Sequence, residues 1–180
     1  MKSRYKMSKK MIVVAILILV VSLFVTIKNI QAQAHVESKS FNLMLSTLLA
    51  HNVPEMGISD IPADSNLVYV DAREKAEYDV SHIKNATWIG YEDFNLSRLD
   101  SISRDAKVVV YCSVGYRSEK ITEKLKNAGF QYPSNLYGGI FEWVNQGLPI
   151  YDNNAQLTNK IHAYSPKWGI WLNKGEKVYE

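Results

Sequence analysis

One cysteine, Cys112, stands in 180 residues, inside the stretch YCSVGYRSEK at 111–120. A single thiol closes no internal disulfide and builds no zinc site from thiolates alone, which leaves packing, phosphate chemistry or sulfur chemistry. Ser113, Val114, Gly115 and Tyr116 separate Cys112 from Arg117. A loop this short, closing onto a helix N-terminus, turns its backbone N–H groups toward a common centre. Those donors and the helix dipole stabilise an anion there. The same field favours a thiolate over a thiol. Gly115 permits a turn that a side chain blocks, and Arg117 supplies a fixed positive fork for an anionic substrate. A cysteine that merely ends a core strand is the bland alternative. The order strand, Cys, Gly, Arg, helix favours chemistry.

The elements around the loop are those needed to hold it. KVVVYC (107–112) is the strongest strand of the chain, apolar on both faces, as a central parallel strand must be. RSEKITEKLKNAGF (117–130) is the clearest helix, with Ile121, Leu125 and Ala128 on one face, Ser118 as a cap and Gly129 as the stop. Further strands are expected at 66–71, 86–90 and 134–139, with helical segments at 72–80, 91–103 and 140–147. Strands alternating with helices in this rhythm predict an α/β domain with a mainly parallel central sheet flanked by helices. In such a sheet ligands bind beyond the carboxyl ends of the strands, which is where Cys112 falls.

Around a domain at 61–150 the sequence predicts three other segments. Residues 1–34 form a basic start and an apolar run, 35–60 a linker with the short helix FNLMLSTLLAHN, and 151–180 an aromatic-rich extension. The formal charge of +3 belongs to the start: six bases and no acid precede residue 35, whereas residues 35–180 hold fifteen bases against eighteen acids. That balance leaves no electrostatic footprint for nucleic acid. Residues 11–27, MIVVAILILVVSLFVTI, carry no charge and follow five bases. They are expected to act as a membrane anchor if uncleaved, or as a signal peptide cut near AQA at 32–34. Either outcome puts residues 35–180 outside the inner membrane, anchored or periplasmic. No metal or cofactor is called for.

YCSVGYRS resembles the active-site loop of rhodanese-type sulfurtransferases, a Cys-x-x-Gly-x-Arg-Ser pattern after a central strand. VYVDAREKAEYDVSHIKNATWI (68–89) and LYGGIFEWVNQGLPI (136–150) are similar to two further motifs of that family, in the same order. Ser81 departs from the glycine often found before His-Ile. The resemblance implies a rhodanese-like domain and a persulfide mechanism, with Cys112 taking the sulfane sulfur of thiosulfate or a related small anion. The N–H groups of residues 113–117 would cradle the outer sulfur until a thiol or cyanide removes it. Cys112 and Arg117 are then the catalytic residues, and Ser113, Val114, Gly115, Tyr116 and Ser118 the binding loop. The alternative is a non-catalytic sulfur-carrier, sensing or binding module on the same fold. Cysteine phosphatases and arsenate reductases use Cys-x5-Arg to encircle a tetrahedral oxyanion; the loop here is one residue shorter.

Asp71 and Arg73 are expected to tie loops together, Glu77 to pair with a base or lie in solvent, and His82 to anchor a loop rather than act as a base. Gly138 and Gly139 suit a tight turn, and Trp143 the core. Trp168, Trp171, Tyr164 and Tyr179 are too many large aromatics for a free tail. They pack back onto the domain or, in the sharper reading, border the Cys112 pocket, where His162 could meet substrate, or dock a partner.

Overall fold

The computed structural model of the chain describes residues 9–31, 34–62 and 66–179, with the side chains of 10–22 in the first stretch. Two compact units result, Met1–Gln33 and Ala34–Glu180. The first contains helix α1, Lys9–Gln31, on which Ile12, Leu17, Leu19 and Val21 are exposed. Among the described residues no helix is long and apolar enough to cross a membrane. The side chains of residues 23–27, which complete the charge-free run, lie outside the described set, as do residues 32–33 of the AQA stretch.

The second unit is built on a five-stranded sheet of order β1-β5-β4-β2-β3. Its strands are β1 Glu55–Met56, β2 Val68–Asp71, β3 Thr87–Trp88, β4 Lys107–Tyr111 and β5 Tyr132–Leu136. Every pairing is parallel. The expected α/β fold with a parallel central sheet and the central place of the strand before Cys112 therefore both hold. Along β4 the side chains alternate, as strand geometry requires. Val108 and Val110 pack with Ile121, Leu125 and Phe130 on one face. Val109 and Tyr111 pack with Phe41, Leu45, Ile140 and Phe141 on the other.

Helices α2 (Lys39–Leu48) and α5 (Gly139–Asn145) supply the second face, and α4 (Tyr116–Asn127) the first. The short α3, Lys75–Val80, follows β2. Helix α4 starts three residues earlier than Ser118 as a cap implies. Gly115 is its N-cap, at φ +118°, while the Ser118 hydroxyl donates to the Asn135 side-chain Oδ1 at 2.6 Å.

The short helix expected within 35–60 is present as α2, but the segment around it is packed and is not a linker. Val36, Phe41, Leu45, Leu49 and Val53 are all buried, and the first four pack in the core on the second face of the sheet. Burying such side chains is worth ~1.5–3 kcal/mol each, which a detached segment forgoes. Its end is pinned as well, because the buried Glu119 carboxylate accepts the N–H groups of Ala50 and His51 at 3.1 and 2.8 Å. β1 then adds an outer strand beside β5.

The chain after 150 also folds onto the domain. β6 (Ile150–Tyr151) pairs with β7 (Leu157–Thr158), and β8 (Lys160–His162) runs parallel to β9 (Glu176–Val178). Between β8 and β9 lies the single turn α6, Pro166–Gly169. Ile161, Ala163 and Leu172 join the core, and Trp171 stacks on Phe41 at a centroid distance of 5.3 Å.

Candidate active site

β4 ends at Tyr111 and α4 begins at Tyr116, so Cys112–Gly115 must reverse the chain in four residues. The reversal rests on Gly115, whose positive φ side chains rarely adopt. It brings the Gly115 N–H to the Cys112 Sγ at 3.1 Å. The first intrahelical bond of α4 joins the Glu119 N–H to the Gly115 carbonyl at 3.0 Å. The N–H groups of Tyr116, Arg117 and Ser118 precede it and have no acceptor within the helix.

The loop is also gripped from behind. At the start of α5 the N–H groups of Ile140 and Phe141 donate to the carbonyls of Cys112 and Ser113, at 2.8 and 3.0 Å. Gly139 makes this approach possible: a Cβ there would lie 2.4 Å from the Cys112 carbonyl oxygen and 2.7 Å from that of Ser113. Gly139 thus provides more than a turn, since it admits the backbone of the Cys112 loop.

Arg117 projects from the first turn of α4 and is held by Glu77 of α3. Its two terminal nitrogens donate to the two Glu77 oxygens at 2.6 and 2.8 Å. Ser113 completes the cluster, accepting from Arg117 at 3.0 Å and donating to Glu77 at 3.0 Å. Burial alone would lower the Arg117 pKa, but the Glu77 hydrogen bonds and the charges of Cys112 and Glu77 hold it raised. Burial alone would raise the Glu77 carboxyl; its bonds to Arg117 and the nearby Arg73 charge hold it below the usual range. The guanidinium is therefore a fixed charge beside the sulfur, steadied by Glu77.

Cys112 and Arg117 open into a cleft of about 410 Å³, with Ser113, Val114 and Tyr116 also in its wall. Gly115 serves through its N–H. Ser118, by contrast, is fully buried and bonded to Asn135 and the Gly115 carbonyl, so its hydroxyl supports the turn from below. The rest of the wall is Glu74, Tyr91, Glu92, Tyr164 and Trp168. Glu74, Tyr91 and Glu92 carried no sequence signal, whereas Tyr164 and Trp168 bear out the sharper reading of the tail. Arg117 lies 5.0 Å from the Tyr164 ring centroid.

Asp71 and Arg73 form a fully buried pair at 2.6 Å, and Arg73 also donates to the Ser81 carbonyl at 2.6 Å. They tie the end of β2 to the end of α3. His82 stacks on Tyr78 at 4.1 Å and is outside the cleft wall. His162 is buried and accepts the Tyr164 N–H on Nδ1 at 3.1 Å, which positions Tyr164. Among the described residues no group of three or more His, Cys, Asp or Glu is placed to hold a metal ion.

Residues 58–146 match the sequence model of a family described as Rhodanese-like domain. The chain is 33% identical over 96 residues to a tRNA uridine(34) hydroxylase of Cronobacter sakazakii, covering 48% of this chain and 28% of that protein. It is 30% identical over 149 residues to the protein of that name from Buchnera aphidicola, covering 72% of this chain and 42% of the other. The chain thus spans less than half the length of these curated relatives. Among solved structures, a protein of Bacillus halodurans superposes with a TM-score of 0.51 at 21% identity, covering 63% of this chain and 85% of that one. A thiosulfate sulfurtransferase of Pseudomonas aeruginosa gives a TM-score of 0.50 at 21% identity, covering 67% and 23%. At that identity the two superpositions speak for the fold alone.

Proposed function

We propose, from the premise that this chain carries a rhodanese-like domain, that it is a sulfurtransferase working through a persulfide on Cys112. One observation carries the reading: the Cys112 residue, though buried, borders the cleft, with its sulfur 3.1 Å from the Gly115 N–H and at the mouth of the α4 N-terminus. A cysteine retained only for packing has no need of a cleft or of converging donors. The Cys112 thiolate attacks the outer sulfur of a sulfane donor. The donor's S–S bond breaks, and the leaving group, sulfite in the case of thiosulfate, departs with the electron pair. The new terminal sulfur carries the negative charge and lies where the unsatisfied N–H groups of α4 point. An acceptor thiolate or cyanide then attacks that sulfur, and Cys112 leaves as a thiolate, ready for the next cycle. Arg117 stabilises the charge through its position, and Glu77 and Ser113 keep it there.

The hydroxylase activity named for the curated relatives is not carried over. The match covers a fraction of their length, and residues 35–180 hold more acids than bases. The charge-free run at 11–27 after five bases supports display of the domain outside the inner membrane. Fractionation of cells with alkaline extraction tests that placement: release of the intact chain into the soluble cytoplasmic fraction would refute it.

The activity test is thiosulfate-to-cyanide turnover beside intact-mass detection of one added sulfur on the chain. Turnover and a persulfide are expected for the wild type, and neither for Cys112→Ser. Absence of both from the wild type rejects the reading.

A further inference from the structure

The wall of the Cys112 cleft is far larger than a thiosulfate or cyanide ion needs. Its volume of about 410 Å³ lies in the range of small-molecule pockets, ~300–1,000 Å³. Four aromatic side chains face it: Tyr91, Tyr116, Tyr164 and Trp168. Two of them, Tyr164 and Trp168, lie beyond the residues matched to the rhodanese-like domain and come from the folded extension. Tyr164 is not there by default. It sits at φ +63°, a conformation uncommon for a non-glycine residue. Its N–H is held by His162, and its ring stands over Arg117, with 48% of the residue exposed.

The charge of the cleft points the same way. Arg117 is the cation of the wall, and its charge is matched by Glu77. That leaves Glu74 and Glu92, two carboxylates, at the cleft. Glu74 is 3.8 Å from Arg117, and among the described residues the exposed Glu92 forms no ion pair with a base. Away from the donors that hold the outer sulfur, a small anionic thiol meets these carboxylates and leaves the aromatic wall unused. A flat apolar body without negative charge buries the wall and avoids the repulsion.

Resting on the persulfide reading above, we propose that the sulfur acceptor is a small thiol with an aromatic or similarly flat apolar body and no negative charge. Tyr164 of the extension is a specificity-determining residue for it. The thiol loses its proton to solvent, and its thiolate attacks the outer sulfur of the Cys112 persulfide. The S–S bond to Cys112 breaks with the electron pair staying on Cys112, and the acceptor departs as its own persulfide.

The test uses the full chain, loaded with sulfur from thiosulfate and checked by intact mass. Two alkyl thiols serve as acceptors: 2-phenylethanethiol, neutral and aromatic, and 3-mercaptopropionate, small and anionic. The wild type is expected to transfer to phenylethanethiol with the higher kcat/KM, by about tenfold. Tyr164→Gly removes the ring while suiting the positive φ, so folding is preserved. It is expected to abolish most of that preference. Glu92→Gln is expected to raise the rate with mercaptopropionate by about twofold and leave the aromatic thiol less affected. Equal rates for the two thiols, or a ratio unmoved by Tyr164→Gly, overturns the specificity while a persulfide on the wild type keeps the sulfurtransferase reading. Failure to load any persulfide removes both.

Discussion

Glu77 and Arg117, forty positions apart, meet through two hydrogen bonds of 2.6 and 2.8 Å, carboxylate to guanidinium. The side chains are 3% and 12% exposed, so this is a nearly buried pair. Removing one partner leaves the other's charge stranded, typically at ~3–5 kcal/mol. Glu77→Ala is expected to destabilise the domain by about that amount in urea unfolding. Its transfer rate should fall as well, because Ser113 loses the acceptor that fixes its hydroxyl.

The same pair sets an acid limb. The folded Glu77 carboxyl titrates below its ordinary value, so its contribution is fully present above the unfolded carboxylate pKa of ~4.3 and is lost as pH falls through the lower folded value. Stability curves below about pH 4.5 should be flatter for Glu77→Gln than for the wild type. Parallel curves contradict the assignment.

His162 adds a second, milder dependence nearer neutrality. Burial lowers its pKa, and the charges of Arg73 and Arg117 add to that while Glu77 opposes it. The folded protein therefore holds the neutral ring, with Nδ1 free to accept the Tyr164 N–H. The sign follows: stability is full above the unfolded value of ~6.5 and declines as pH drops toward the folded one. His162→Asn, which can still accept that N–H, is expected to remove the decline between pH 6.5 and 5. Urea midpoints across that interval provide the check.

Two glycines should separate by mechanism. Gly115→Ala carries backbone strain, of order 1–3 kcal/mol, since its added Cβ would meet neighbours no closer than 3.6 Å. Gly139→Ala adds a clash with two carbonyl oxygens at 2.4 and 2.7 Å. The larger loss of stability is expected at Gly139, together with loss of persulfide formation. A smaller loss there than at Gly115 would show that the loop does not depend on α5.

Cys112→Ser removes the nucleophile while leaving an oxygen that can accept from Gly115. Persulfide formation should vanish, while the thermal midpoint shifts by only about 1 kcal/mol equivalent, within the usual range for single substitutions. A variant that cannot fold would mark Cys112 as a packing residue first.

Much of this was legible because the relevant signals are local. β4 declares itself by a run of residues buried on both faces, and the loop after it by Cys, Gly and Arg at fixed spacing. The partner of Arg117 was not, because Glu77 reaches it across a crossover that local pattern does not encode. Residues 35–60 read as a linker for a related reason. The apolar residues Val36, Phe41, Leu45, Leu49 and Val53 stand out, but nothing in them says whose core they complete. The tail's strands are two or three residues long, too short for alternation to show, so only its aromatic content signalled that it folds. Ser118 misled because a serine at a helix start resembles a cap, whereas the turn at Gly115 had already begun the helix.

The wall contributed by Tyr164 also has a history in time. On a growing chain, Cys112 is made some fifty residues before Tyr164, and at ~5–20 residues per second that interval lasts several seconds. Through it the sheet lacks Ile161, Ala163 and Leu172 from its second face, and the thiol lacks the aromatic side of its cleft. On the proposed persulfide reading, selective transfer begins only when synthesis has passed the extension.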